Sequence, residues 1–273
     1  MGKSGLTEAF YEVSEQAVRT PDGTVETVLP RPSTAGPWSP DAQHGGPPAA
    51  LLTRAVEALP DSAGRVVGRF TMELWGPVPL TALRVRASLV RPGRSVALAH
   101  ASLEDVERGR TVATAAAWLF PGDGPPGPGE VGPAPAHSPT DGVRRERPPG
   151  WHPGYLDAVD WRWISGSVAD PGPGTVWMRT PDVVDGEEPS PAQRVMACVD
   201  SASGASATLD VREWGFLNTE LTVHLLRPAE GPWVCLDAET TLGPGSVAVA
   251  SSDVLDQRGL VARSRQALLV APR

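Results

Sequence analysis

Cysteine is scarce in this sequence: Cys198 and Cys235 are the two among 273 residues. Both sit inside apolar runs, so they read as reduced core side chains rather than a disulfide or a metal site. Lysine is scarcer still, with Lys3 alone. The 24 basic residues face 32 acidic ones, a net charge of −8. No basic block is interleaved with aromatics, which argues against a nucleic-acid surface. No apolar run approaches the length of a membrane span, and Met1 to Thr20 lacks the basic start and apolar stretch of a secretion signal. The cytoplasm is the expected compartment. Also missing are a Gly-x-Ser-x-Gly elbow, a phosphate-binding Gly/Lys loop, a dinucleotide fingerprint and His/Cys spacing suited to zinc. A covalent serine mechanism has no local support, and no cofactor or metal is implied.

What is present is alternation, and it is written twice. Leu217, Thr219, Leu221, Val223 and Leu225 alternate with Asn218, Glu220, Thr222 and His224, the period of a strand with one wet face. Turn residues then separate runs beginning at Trp233, Ser246 and Leu260, which predicts an antiparallel meander of four strands. Earlier, Val66 to Leu74 and Leu83 to Leu89 alternate in the same way, and Ser95-Val96-Ala97-Leu98-Ala99 matches Ser246-Val247-Ala248-Val249-Ala250. The tip Glu107-Arg108-Gly109 likewise echoes Gln257-Arg258-Gly259. Such an internal echo points to one module used twice. The expected division is a first unit over residues 1–120, a Pro/Gly-rich linker over 121–150 lying outside both cores, and a second unit over 151–273.

Each unit is expected to hold two strands, a helix and the meander, an α+β class with one long helix on an antiparallel sheet. Short strands are expected around Phe10 to Val13 and over Thr24 to Leu29, joined by a turn at Pro21-Asp22-Gly23. The first helix is read over Ala49 to Leu59, with Pro47 and Pro48 suited to its first turn. The second starts at the capping-box sequence Ser190-Pro191-Ala192-Gln193 and is read as continuing to about Ser203.

Three places could carry chemistry. His44-Gly45-Gly46 lies at a helix start, where glycine lets backbone N–H groups approach a ligand and the helix adds positive potential; the plainer reading is a loop-to-helix turn with an exposed His. Asp200 sits late in the second helix, at the unfavourable end of the dipole, at the edge of the apolar stripe; it could equally be a solvated polar residue. Gln266 shares a strand face with Ala262, Ser264, Leu268 and Val270, so its amide needs partners, whether structural or functional. The matching place in the first unit falls near Ala117. A carboxylate, amides and a glycine-rich helix start together suit the activation of water.

HGGPPAALL from His44, LNTELTVHLLRP from Leu217, WVCLDAETTLGPGS from Trp233 and VARSRQALLV from Val261 together resemble the acyl-CoA thioesterase II-like proteins. The closer resemblance is to the branch with tandem double-hotdog domains, and it covers nearly the whole chain outside the linker. It implies two sheets side by side, each wrapping its long helix, and hydrolysis of acyl-CoA thioesters in lipid metabolism. It also implies that water is activated by an Asp, a Thr and a Gln of the second unit. The Asp falls on Asp200 and the Gln on Gln266. The Thr falls on Asn218, which offers an amide where the family has a hydroxyl. Gly45 and Gly46, with His44 beside them, fall on the element that binds the substrate and polarises its carbonyl. The expected partner is a small acyl-CoA, with self-association left open. Arg144, Arg145 and Arg147 of the linker are candidate guards of the CoA phosphates. The Asn218 departure keeps a second reading open, an acyl-CoA-binding protein without turnover. A hotdog hydratase ranks third, because no Asp-x-Asn-Pro-x-His run is present.

Overall fold

Alternating side chains need a core on one side only, and the computed structural model gives them one. It describes residues 8–273 apart from residues 22, 123–126, 128, 130 and 131; Asp22 of the expected first turn lies outside these. The first half holds β1 (Tyr11–Thr20), β2 (Gly23–Pro30), α1 (Gly46–Glu57), β3 (Arg65–Leu74), β4 (Leu83–Arg91), β5 (Ala97–Asp105) and β6 (Arg110–Pro121). The second holds α2 (Gly154–Ala158), β7 (Asp160–Ser167), β8 (Asp170–Arg179), α3 (Pro191–Val199), α4 (Ala202–Ala205), β9 (Trp214–Asn218), β10 (Glu220–Leu225), β11 (Val234–Leu242), β12 (Val247–Asp256) and β13 (Gly259–Pro272).

The strands form one sheet in the order β1-β2-β4-β5-β6-β3-β10-β13-β12-β11-β8-β7, with β9 paired to β13. The two halves meet at β3 and β10, antiparallel, with Thr71 opposite Thr222 and their hydroxyls 3.2 Å apart. Outward from that seam each half runs through the same succession of strands. In each, only the last three strands of the expected meander are joined as consecutive neighbours. β3 pairs with β6 rather than β4, and β10 with β13 rather than β11, because the other edges of β4 and β11 are taken by β2 and β8. Periodicity specifies a strand's faces; its partner depends on which edges distant segments leave open.

Helix α1 lies on β3 to β6, α3 and α4 lie on β8, β11 and β12, and α1 and α3 pack against each other. One buried apolar cluster accordingly runs through both halves, from Leu51, Leu52 and Phe70 to Val195, Met196 and Leu236. Cys198 and Cys235 are buried free thiols, and burial pushes Cys235 up to about 12, which leaves both as inert packing groups. No helix among the described residues is long and apolar enough to cross a membrane.

Two local expectations fail. Helix α3 ends at Val199, with Asp200 as its C-cap, and the chain restarts as α4 at Ala202, so the helix does not reach Ser203. The run from Leu217 to Leu225 is two strands, not one. Asn218 pairs with Leu268 and Thr222 with Arg265, so four steps on one side match three on the other, an extra residue of the β-bulge kind near Thr219. The alternation reverses there: Leu221 and Val223 are buried, but so is Phe216, while Leu217 is 60% exposed.

Of the linker, residues 137–147 lie against the second half. Val143 bridges Trp163, and the indole N–H of buried Trp177 donates to His137 Nδ1 at 3.1 Å.

Candidate functional site

The start of α1 and the end of α3 come so close that only glycine fits. A Cβ on Gly46 would stand 2.2 Å from the carbonyl oxygen of Ala197, and one on Gly45 2.7 Å from Asp200 Oδ1. Missing side chains therefore allow one helix to meet the other. The contact also delivers donors to Asp200, which is 5% exposed and sits where the helix dipole disfavours a negative charge.

Three donors converge on that carboxylate. The Gly45 N–H donates to Oδ2 at 2.8 Å, the Gln266 amide donates to Oδ1 at 3.1 Å, and the Asn218 amide donates to Oδ1 in a short contact. Charge-assisted bonds of this kind offset the cost of burying the group. Gln266 is fully buried and held at both ends: its Nε2 also reaches the Asp200 carbonyl at 3.2 Å, and its Oε1 accepts from Ser203 N–H at 3.2 Å. Asn218 reaches the site because of the reversal near Thr219, since an unbroken strand from Leu221 would have turned it to solvent, as the sequence pattern suggests.

His44 is largely covered rather than exposed, with 12% of its side chain accessible. Its ring lies flat on Tyr155, with centroids 3.8 Å apart and planes 3° from parallel, and Tyr155 is anchored by its hydroxyl donating to the Ala197 carbonyl at 2.6 Å. Burial lowers the imidazole below its ordinary value, and the Asp200 carboxylate only partly opposes that. The 3.2 Å approach of His44 Nδ1 to Asp200 Oδ2 is therefore not an ion pair at neutral pH. Nδ1 instead accepts from the Gly46 N–H at 3.1 Å, which puts the proton of the neutral ring on Nε2. Both glycine N–H groups thus have acceptors within the site, Asp200 and His44. With prolines at 47 and 48, no further N–H is free to donate in that first turn.

A cavity of about 450 Å³ opens beside these groups, reached by His44, Asp200 and Asn218 and walled by Trp38, Trp161 and Phe216. Gln266 lies behind Asp200 and does not line it. Nothing in the sequence marks Tyr155, Ser203 or the tryptophan walls as parts of a site. No periodic pattern marks Tyr155, and Ser203 contributes through its backbone.

The polar set occurs at one of two matching places. Ala250 pairs with Gln266 as Ala99 pairs with Ala117, and Asn218 pairs with Leu268 as Val67 pairs with Leu119. Where the second half has Gln266 and Asn218, the first has Ala117 and Val67. At the other end of the helix pair, Glu57 accepts instead from Ser190 Oγ at 2.8 Å and from Gln193 Nε2 at 2.7 Å. The expected capping box is thus half made: Ser190 caps the Gln193 N–H, while the Gln193 side chain serves Glu57. Among the described residues no cluster of His, Cys, Asp and Glu could hold a metal ion.

Residues 34–120 match a family model for the acyl-CoA thioesterase N-terminal domain, and residues 134–270 match one for the acyl-CoA thioesterase C-terminal domain. Among solved structures, the chain is similar to a candidate thioesterase II from Thermobifida fusca, 21% identical over 94% of this chain and 96% of that one, with a TM-score of 0.74. It is similar to a hot dog fold protein of unknown function from Alicyclobacillus acidocaldarius, 18% identical over 94% and 96% of the two chains, at a TM-score of 0.72. It is also similar to an acyl-CoA thioesterase II from Mycobacterium marinum, 14% identical over 94% and 96%, at 0.65. These likenesses establish the hot dog fold. No curated protein gave a significant match.

Proposed function

We propose that this chain, which belongs to the acyl-CoA thioesterase family, hydrolyses acyl-CoA thioesters through water activated by Asp200. Its two halves are read as hotdog units in tandem, each carrying its helix against its own part of the sheet. The observation that carries the reading is the convergence of Gly45, Asn218 and Gln266 on one buried carboxylate at the wall of an apolar cavity. A carboxylate so fixed keeps one orientation while it accepts a proton from water.

In this scheme water adds to the thioester carbonyl as its proton passes to Asp200. The Gly46 N–H lies just behind the lining formed by His44 and Gly45, so it meets the oxygen that gains negative charge only by exchanging its bond to His44 Nδ1 for one to the substrate. Collapse expels the CoA thiolate, which takes the proton back from Asp200, leaving free acid and thiol. Gln266 acts as a positioning residue, because it touches Asp200 and not the cavity. Asn218 lines the cavity, and its single short bond to Asp200 does the orienting work that the family gives to a threonine hydroxyl.

The test is steady-state hydrolysis across a panel of acyl-CoA chain lengths, with release of free thiol as readout, for the parent protein and Asp200→Asn. Parental turnover that collapses in the variant supports hydrolysis. Saturable acyl-CoA binding with no turnover by the parent would favour a binding protein, the reading that the amide at position 218 motivates.

A further inference from the structure

Asp160 opens β7, the edge strand of the sheet, and its side chain points away from the cavity. Trp161, one position on, points into the cavity wall and stacks on Trp163, while Asp160 and Arg162 share the opposite face. Three guanidinium groups gather on this one carboxylate. Arg144 reaches Oδ1 at 3.2 Å, Arg162 reaches Oδ1 at 3.1 Å, and Arg179, directly across the ladder from Asp160, reaches Oδ2 at 3.4 Å. Among the described residues, no other carboxylate lies within ion-pair distance of these three. Three positive charges against one negative leave two unneutralised on a protein whose net charge is −8.

Their neighbours in the linker differ. Arg145 pairs with Asp170 at 3.6 Å and Arg147 with Asp157 at 2.9 Å, so the run Arg144-Arg145-Arg147 does not act as a unit. Arg144 is instead carried to a second pair of arginines that the sequence places far away. The buried Nε of Arg179 has no acceptor among the described residues, and its guanidinium lies 5.2 Å over the ring of Trp233. Asp160, itself buried, holds the three forks together, and among the described residues most of their N–H groups have no other acceptor.

We propose that Arg144, Arg162 and Arg179, assembled on Asp160, form a binding site for a phosphate monoester. Such a group carries close to two negative charges and three acceptor oxygens, which matches the two spare charges and the open donors, and guanidinium forks engage phosphate bidentately. The phosphate has two sources: the ribose phosphate of a CoA thioester lying round the sheet edge, which rests on the function proposed above, or a separate phosphorylated small molecule, which does not.

The first measurement is calorimetric titration of the full chain with inorganic phosphate at low salt, on the parent, Arg144→Gln and Arg162→Gln. Arg144 is 68% exposed, so its replacement keeps the fold even where loss of Arg162 strains it. Saturable binding to the parent, weakened about tenfold in the variants and progressively lost as salt screens the site, supports the proposal. No binding, or binding equally strong in both variants, overturns it. The second measurement compares KM for an acyl-CoA and for the same thioester lacking the ribose phosphate. A KM about tenfold higher without the phosphate in the parent, equalised in Arg144→Gln with kcat unchanged, assigns the site to CoA. Equal KM values alongside phosphate binding assign it to a separate phosphorylated ligand. Because the titration needs no turnover, its result stands even if the chain proves not to be a hydrolase.

Discussion

Asp200 is costly where it stands, buried and at the wrong end of a helix dipole, and the donors around it make the position tenable. In Asp200→Asn, an NH2 group replaces an oxygen that now accepts N–H bonds, so at least one donor is left facing another. Thermal unfolding should therefore show a loss of about 1–3 kcal/mol, while turnover falls at least about a hundredfold; an unchanged rate in the folded variant removes Asp200 from the mechanism. The pH dependence of stability reports on His44. In the unfolded chain its ring titrates near 6.5, while burial holds the folded ring below that. The unfolded state thus binds a proton that the folded state refuses, and stability falls as pH drops through about 6.5, until the folded ring protonates too. Denaturation midpoints measured from about pH 8 down to about pH 5 should show this decline in the parent. His44→Phe, which keeps a flat ring on Tyr155, should lack that part of it.

One extra residue near Thr219 decides which way β9 faces. Upstream of it Phe216 and Asn218 turn toward the interior; downstream Leu221 and Val223 do. Deleting Thr219 removes the extra residue and leaves three steps on each side, so Asn218 stays opposite Leu268 and, with Phe216, keeps facing inward in an unbroken alternation with Leu221. The expected outcome is a folded protein in which Asn218 still reaches Asp200 and turnover is largely kept, whereas Asn218→Leu, which removes the donor itself, loses turnover. A deletion variant as inactive as Asn218→Leu would show that the bulge itself, and not only the face it selects, sets the place of Asn218. The ends of the helices are equally exacting. Gly46→Ala forces a Cβ against the Ala197 carbonyl, and since backbone stands on both sides it should unfold at clearly lower temperature, with α1 and α3 prised apart.

At the scale of the molecule, a shared sheet, packed helices and one apolar cluster join the halves. Heating should give a single cooperative transition with calorimetric and van't Hoff enthalpies in agreement, where weakly coupled domains would give two. The linker divides in the same terms. Removing exposed residues 132–134 should leave the midpoint unchanged, whereas removing 137–147 uncovers Trp177 and unpairs Val143 from Trp163, so it should lower the midpoint by several degrees.

Much of the architecture was already determined by local sequence. Alternating runs gave the strands, the matched Ser95 and Ser246 segments gave two equivalent β5 and β12 strands, and the face shared by Ser264, Gln266 and Leu268 put an amide in the core. Those properties depend on near neighbours along the chain, where side-chain period and turn chemistry act. Tertiary structure decided the rest. That β3 and β10 join the halves, that an irregularity near Thr219 turns Asn218 inward, and that α3 stops at Asp200 all depend on partners scores of residues away. The glycines at 45 and 46 show the division most plainly. The sequence marks them as places that permit close approach, but only the packed helices reveal that it is the end of α3 that approaches, bringing with it the carboxylate of Asp200.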